Sequence, residues 1–190
     1  DRRQRQMCIR DSFIFCYVVK GNFDGNYLEF WETIDTELII VKNPLDDPQG
    51  WVLDFIPLGL GNDKFGFHSA LFYEKPDIYF IGYTTNQSST KNAFLGIANS
   101  KMIIKNRSIS SLKYYNMKTN KFDNQISRID NYNLFSPGNT ESSLCYLKRK
   151  KIFMCTTYDP LSGELNIMTS KKIKGPWYGP QLVFKNPDHI

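Results

Sequence analysis

Apolar residues along the chain recur at every second position in short runs, and turn-forming residues separate the runs. Ser142-Ser143-Leu144-Cys145-Tyr146-Leu147 and Glu164-Leu165-Asn166-Ile167-Met168-Thr169 show the pattern. A period of two places alternate side chains on opposite faces of a strand. On this criterion strands are predicted at residues 13–19, 27–33, 37–41, 51–56, 67–73, 78–83, 93–98, 112–117, 142–147, 152–158, 164–169 and 181–184. No stretch shows apolar positions at helical spacing over three turns. Asp159-Pro160-Leu161-Ser162-Gly163 and Glu74-Lys75-Pro76-Asp77 carry hairpin chemistry, so sequence neighbours are predicted to pair antiparallel. The fold class is therefore all-β.

An internal repeat narrows the expectation. Ser69-Ala70-Leu71-Phe72-Tyr73 followed by Ile78-Tyr79-Phe80 aligns without gaps on Ser143-Leu144-Cys145-Tyr146-Leu147 followed by Ile152-Phe153-Met154, at an offset of 74 residues. Leu95-Gly96-Ile97-Ala98 corresponds to Leu165-Asn166-Ile167-Met168 and to Leu38-Ile39-Ile40-Val41. A recurring four-strand unit predicts stacked blades, here an incomplete β-propeller of about three four-stranded antiparallel blades. The blades are expected at residues 13–57, 65–117 and 141–184. A β-sandwich would account for the strands but not for the repeat. Residues 118–140 form a long polar connection, of a length that usually contributes to a site or packs across a face.

Residues 1–12, Asp-Arg-Arg-Gln-Arg-Gln-Met-Cys-Ile-Arg-Asp-Ser, back-translate in frame as the end of a transposon-derived sequencing adapter. They are read as non-native and set aside before fold reasoning, leaving residues 13–190 as a fragment truncated at both ends. The segment holds four Arg and two Asp, so the remainder carries +3 of the chain's net +5. This small excess, spread over the chain, reads as an ordinary solvated surface with no basic stripe, which argues against a nucleic-acid partner. With 41% hydrophobic residues the chain can bury a core, and no apolar run is long enough for a membrane span. Setting aside Cys8 leaves Cys16, Cys145 and Cys155, without metal-ligand spacing, so neither a metal nor a cofactor is expected. Cys145 and Cys155 lie on adjacent strands and read as small buried hydrophobes rather than as a pair.

Several landmarks, in order, resemble a poorly characterised family of glycosidase-like five-bladed propeller domains. They are Asn43-Pro44-Leu45-Asp46-Asp47-Pro48-Gln49-Gly50-Trp51, Phe65-Gly66-Phe67-His68-Ser69-Ala70-Leu71, Thr140-Glu141-Ser142-Ser143-Leu144 and Gly175-Pro176-Trp177. The resemblance covers residues 36–187 and implies a bacterial, extracellular or periplasmic protein, related in architecture to arabinan- and fructan-hydrolysing enzymes. It also implies a carbohydrate partner and a monomer at full length. Glycoside hydrolysis requires two carboxyl groups flanking the scissile bond.

Glu141 opens a strand directly after Ser136-Pro137-Gly138-Asn139-Thr140 and is the leading catalytic candidate, with Asp63 as its partner; Asp54, in an outer strand, is not favoured. His68 and Asn139 are candidate sugar-binding residues, able to hydrogen-bond hydroxyls. Trp31 could stack on a sugar face, whereas Trp51 and Trp177, each following a third strand, read as packing residues. The alternative to hydrolysis is a non-catalytic glycan-binding or interaction protein. No P-loop, nucleophile elbow or paired Cys-x-x-Cys occurs.

Overall fold

The computed structural model describes residues 12–21, 31–57, 65–85, 91–108, 110–139, 141–159 and 162–187. Among them the first sheet contains β1 (Ser12–Gly21), β2 (Trp31–Val41) and β3 (Leu53–Pro57). The second contains β4 (Phe65–Glu74), β5 (Asp77–Thr85), β6 (Lys91–Asn99), β7 (Lys113–Asn116) and β8 (Lys121–Asp123). The third contains β9 (Glu141–Leu147), β10 (Ile152–Asp159), β11 (Glu164–Ser170) and β12 (Tyr178–Lys185). Every pairing is antiparallel between sequence neighbours. The predicted hairpins hold: Leu71 pairs with Phe80, and Leu144 with Cys155.

The all-β class stands, but the expected propeller of four-stranded blades does not. The sheets have three, five and four strands, and the described residues close into no ring. In the first sheet the described part of the run predicted at 27–33, residues 31–33, belongs with the run at 37–41 to one eleven-residue strand. A bulge absorbs the irregularity between them: Val18 pairs with Asp35 and Val19 with Thr33, leaving Ile34 as the extra residue. In the second sheet, part of the expected connection supplies a fifth strand, β8. The repeat failed as a guide because period-two patterning is local, whereas sheet size depends on which strand edges find partners. β1 begins one residue before the boundary set for native sequence, with Ser12 paired to Val41; residues 1–11 lie outside the described residues.

Two apolar layers hold the sheets together. Leu38 and Ile56 of the first sheet pack with Ile78, Phe80, Phe94 and Ala98 of the second. On the opposite face of the second sheet, Ala70, Ile81, Ala93 and Leu95 pack with Leu144, Cys155 and Met168 of the third. The second sheet is thus covered on both faces, which explains the near-continuous buried run Ala93-Phe94-Leu95-Gly96 in β6. Gly96 is required there, because a Cβ would enter the ring of Phe80, its register partner. The leading strands adjoin, β1 beside β4 and β4 beside β9.

Between β6 and β7 lies a two-turn helix, α1 (Ser100–Asn106), too short to have been predicted from periodicity. Asn99 caps it by accepting from the Met102 N–H at 3.2 Å, and Ile103 points into the first apolar layer. The helix ends at Arg107 in the left-handed region. The Arg107 guanidinium donates to both Asp54 oxygens at 2.8 and 3.0 Å and to the Phe55 carbonyl at 2.8 Å, fastening the helix to β3. These bonds hold the Asp54 carboxyl below the usual carboxylate range, and they make Asp54 structural. Among the described residues no helix is long and apolar enough to cross a membrane.

Candidate functional site

The connection after β8 is an ordered cap rather than an open loop. Tyr132, Leu134 and Phe135 are buried, and Tyr132 donates its hydroxyl to Asp123 at 2.8 Å. Leu134 N–H donates to the Ala93 carbonyl at 2.7 Å, and Ala93 N–H to the Phe135 carbonyl at 2.9 Å. Gly138 N–H then donates to the Lys91 carbonyl at 2.8 Å. The chain passes so close to β6 that a Cβ on Gly138 would lie 2.5 Å from the Asn92 carbonyl carbon and 2.9 Å from Ala93 Cα. Trp177 packs behind the cap, its ring 5.2 Å from Phe135 and its indole N–H donating to the Ile173 carbonyl at 3.1 Å. Trp51 likewise donates to the Asp46 carbonyl in its own loop. Trp177 thus packs as its position predicted, whereas Trp51 is fastened within its own loop and belongs to neither apolar layer.

This cap delivers Asn139 and Glu141 to the start of β9. Asn139 is buried, and its carbonyl accepts from the Ser142 hydroxyl at 3.0 Å. Glu141 is exposed and pairs in register with Tyr158. Ser142 shares a register row with Thr157 and Asn166, on the face that further along carries Leu144, Cys155 and Met168. An apolar interface therefore turns polar at its end. Thr157 is 1% exposed and its Oγ1 has no hydrogen-bond partner. An unsatisfied buried hydroxyl costs about 1–3 kcal/mol. Thr84, paired with Asn92 at the matching end of β5, repeats the arrangement in the second sheet.

Two further carboxylates stand at the same end, and sequence reasoning missed both as site residues. Asp159 and Glu164 are register partners across the β10–β11 turn. Ser162 donates to Asp159 Oδ2 at 2.9 Å, and Lys185 Nζ lies 3.2 Å from Glu164 Oε1. The available signal was their symmetric placement around the turn, which sets Asp159 beside Tyr158, the partner of Glu141.

Of the four residues predicted for the site, the structure brings Glu141 and Asn139 together. Asp63 lies outside the described residues. The backbone of His68 belongs to β4, in the stretch between Gly66 and Ala70 where the register with β5 shifts; its side chain, like that of Trp31, lies outside the described residues. β4 runs beside β9, so the strand bearing His68 neighbours the one that Glu141 opens.

Cys145 pairs with Met154 and Cys155 with Leu144, so the two cysteines occupy opposite faces and neither is in a disulfide. Burial, and secondarily the neighbouring Cys145, pushes the Cys155 thiol up to about 12. Among the described residues no cluster of three or more His, Cys, Asp or Glu could hold a metal ion. No family model matches the chain, and no curated protein matches it either.

Proposed function

We propose that this protein binds polysaccharide at the end of the third sheet, with Glu141 and Asn139 at the centre of the contact. The carrying observation is the polar end of an otherwise apolar interface. At that end the exposed carboxylate of Glu141 opens β9 two residues after buried Asn139, and the row Ser142–Thr157–Asn166 lies on the opposite face of the same sheet end. Carboxylates and amides are the groups that hydrogen-bond vicinal hydroxyls. The resemblance of the landmark segments to a glycosidase-like family supports the same ligand class.

Binding is favoured over hydrolysis because the two other carboxylates at this end are already engaged, Asp159 by Ser162 and Glu164 by Lys185. Hydrolysis is the second reading. Against it, Glu141 shares a face with its register partner Tyr158, whereas Asp159, one residue on, points to the opposite face of the sheet, so the two carboxyl groups do not flank one bond.

Calorimetric titration of the full chain with arabinan and levan oligosaccharides tests the reading. Binding is expected, and Glu141→Ala should weaken it roughly tenfold, the equivalent of one charged hydrogen bond. Unchanged affinity in Glu141→Ala removes the residue from the contact. Release of reducing ends by the wild type but not by Glu141→Gln transfers the site to the hydrolytic reading.

A further inference from the structure

The positive charge of the chain is concentrated, not spread. Residues 141–187 hold eight Lys and Arg against three Asp and Glu, so this segment alone carries +5, equal to the whole chain. Register then sorts the signs. Glu141, Asp159 and Glu164 stand at one end of the third sheet, where Lys185 pairs with Glu164. At the other end the β9–β10 turn is Lys148-Arg149-Lys150-Lys151. Phe153 pairs with Ser170, so Lys171 and Lys172 leave β11 directly alongside that turn. Lys174 follows, its Nζ 4.8 Å from the Phe122 ring centroid and 5.6 Å from that of Tyr115. All seven cations are exposed, and neither turn contains a carboxylate.

Adjacent strands are about 4.8 Å apart, within the Debye length of roughly 8 Å at physiological salt. The cations of the two turns therefore repel one another in the folded state. Solvation alone does not require such an arrangement, since alternating signs would solvate the turns equally well without the repulsion.

We propose that this basic end binds an acidic polysaccharide, one bearing a carboxylate on each sugar, as an extension of the glycan contact at Glu141. The inference rests on the glycan reading above for its choice of polymer. Six of the seven cations are Lys, which serve as point charges for singly spaced anions, whereas bidentate phosphate recognition favours Arg. Within the basic segments 148–151 and 171–174 the one apolar residue, Ile173, is buried, so the cations themselves are interleaved with no apolar anchor for a membrane. Lys174 lies over the faces of Tyr115 and Phe122 and so covers two rings on which bases could stack. The eight residues of β10 span about 26 Å between the two ends, so a single chain several sugars long can touch both.

The test uses the full chain and polygalacturonate, with binding followed against NaCl concentration. A variant combining Arg149→Ala, Lys150→Ala and Lys172→Ala changes only exposed side chains. It should keep the wild-type unfolding midpoint, lose roughly tenfold in polygalacturonate affinity and show a shallower salt dependence. Equal affinity of variant and wild type for polygalacturonate overturns the proposal. So does tighter binding of a single-stranded oligonucleotide, or of phosphatidylserine vesicles, than of polygalacturonate at matched charge. Neutral arabinan separates the two proposals. Its binding should be untouched by the triple variant, and its failure to bind the wild type would count against the Glu141 contact while leaving the polygalacturonate measurement decisive for the basic end.

Discussion

Gly138→Ala is the sharpest perturbation of the route by which the fold reaches its candidate site. The new Cβ would meet only backbone, including the Asn92 carbonyl carbon at 2.5 Å and Ala93 Cα at 2.9 Å, so no side-chain rotation relieves it. The cap must lift from β6, giving up the Gly138–Lys91 hydrogen bond of 2.8 Å. That bond contributes about 1 kcal/mol, and forcing an extra carbon into a packed contact costs about 1–3 kcal/mol. Against this, alanine stiffens the unfolded chain and returns about 0.4–1 kcal/mol. The net expectation is a loss of about 2 kcal/mol. With a urea slope of about 2 kcal/mol/M for a chain of this size, the midpoint should fall by roughly 1 M. Gly50→Ala is the internal control, since a Cβ there meets nothing within 4 Å, and its midpoint should hold or rise slightly. Because Asn139 follows directly, Gly138→Ala should also weaken glycan binding at temperatures where the variant stays folded. Equal midpoints for the Gly138 and Gly50 variants would refute the argument that the cap is seated by close backbone approach.

Two further outcomes follow from ionisable groups in the frame. Hydrogen bonds from Asn116 and then from Tyr132 hold the Asp123 carboxyl below its ordinary value. Its stabilising effect is therefore present above that ordinary value and lost as pH falls through the depressed one. Tyr132→Phe should flatten the acid limb of a stability–pH curve measured by urea titration between about pH 5 and 2, and an unchanged limb would contradict this. For Cys155 the shift is upward, to about 12, so the fold keeps the thiol neutral while the unfolded chain ionises from about pH 8.5. The associated stability is full below that pH and fades as pH rises toward 12. Peptide mapping after iodoacetamide treatment of the native protein at pH 8 should find Cys145 modified well before Cys155, and comparable rates at the two would show that Cys155 is not sequestered.

Much of the frame was legible as pattern. Alternation located the strands to within a few residues, and turn chemistry paired them, because strand periodicity and tight turns are properties of a few adjacent residues. The packing role of Trp177 was readable from its position after a third strand, β11, whereas Trp51 follows β2, the second strand of its sheet. Glu141 and Asn139 were found together because they are neighbours in sequence.

Sheet membership was not legible in the same way. The predicted strands 27–33 and 37–41 read as two, and only pairing with β1 shows residues 31–41 to be one strand with a bulge. β8 was hidden in a polar connection, since a three-residue strand is defined by its partner β7 rather than by its own composition. Tyr132, Leu134 and Phe135 are buried only because the cap folds back onto β6. The sorting of charge likewise needed register. In the sequence the cations at 148–151 and 171–174 are some twenty residues apart; hydrogen bonding of β10 to β11 sets them side by side and carries Asp159 and Glu164 to the far end. Period and turn type act over one or two residues and are determined by the sequence alone. Which edges meet, and therefore which charges and polar groups converge, depends on contacts between distant segments and is decided only when the sheets pack.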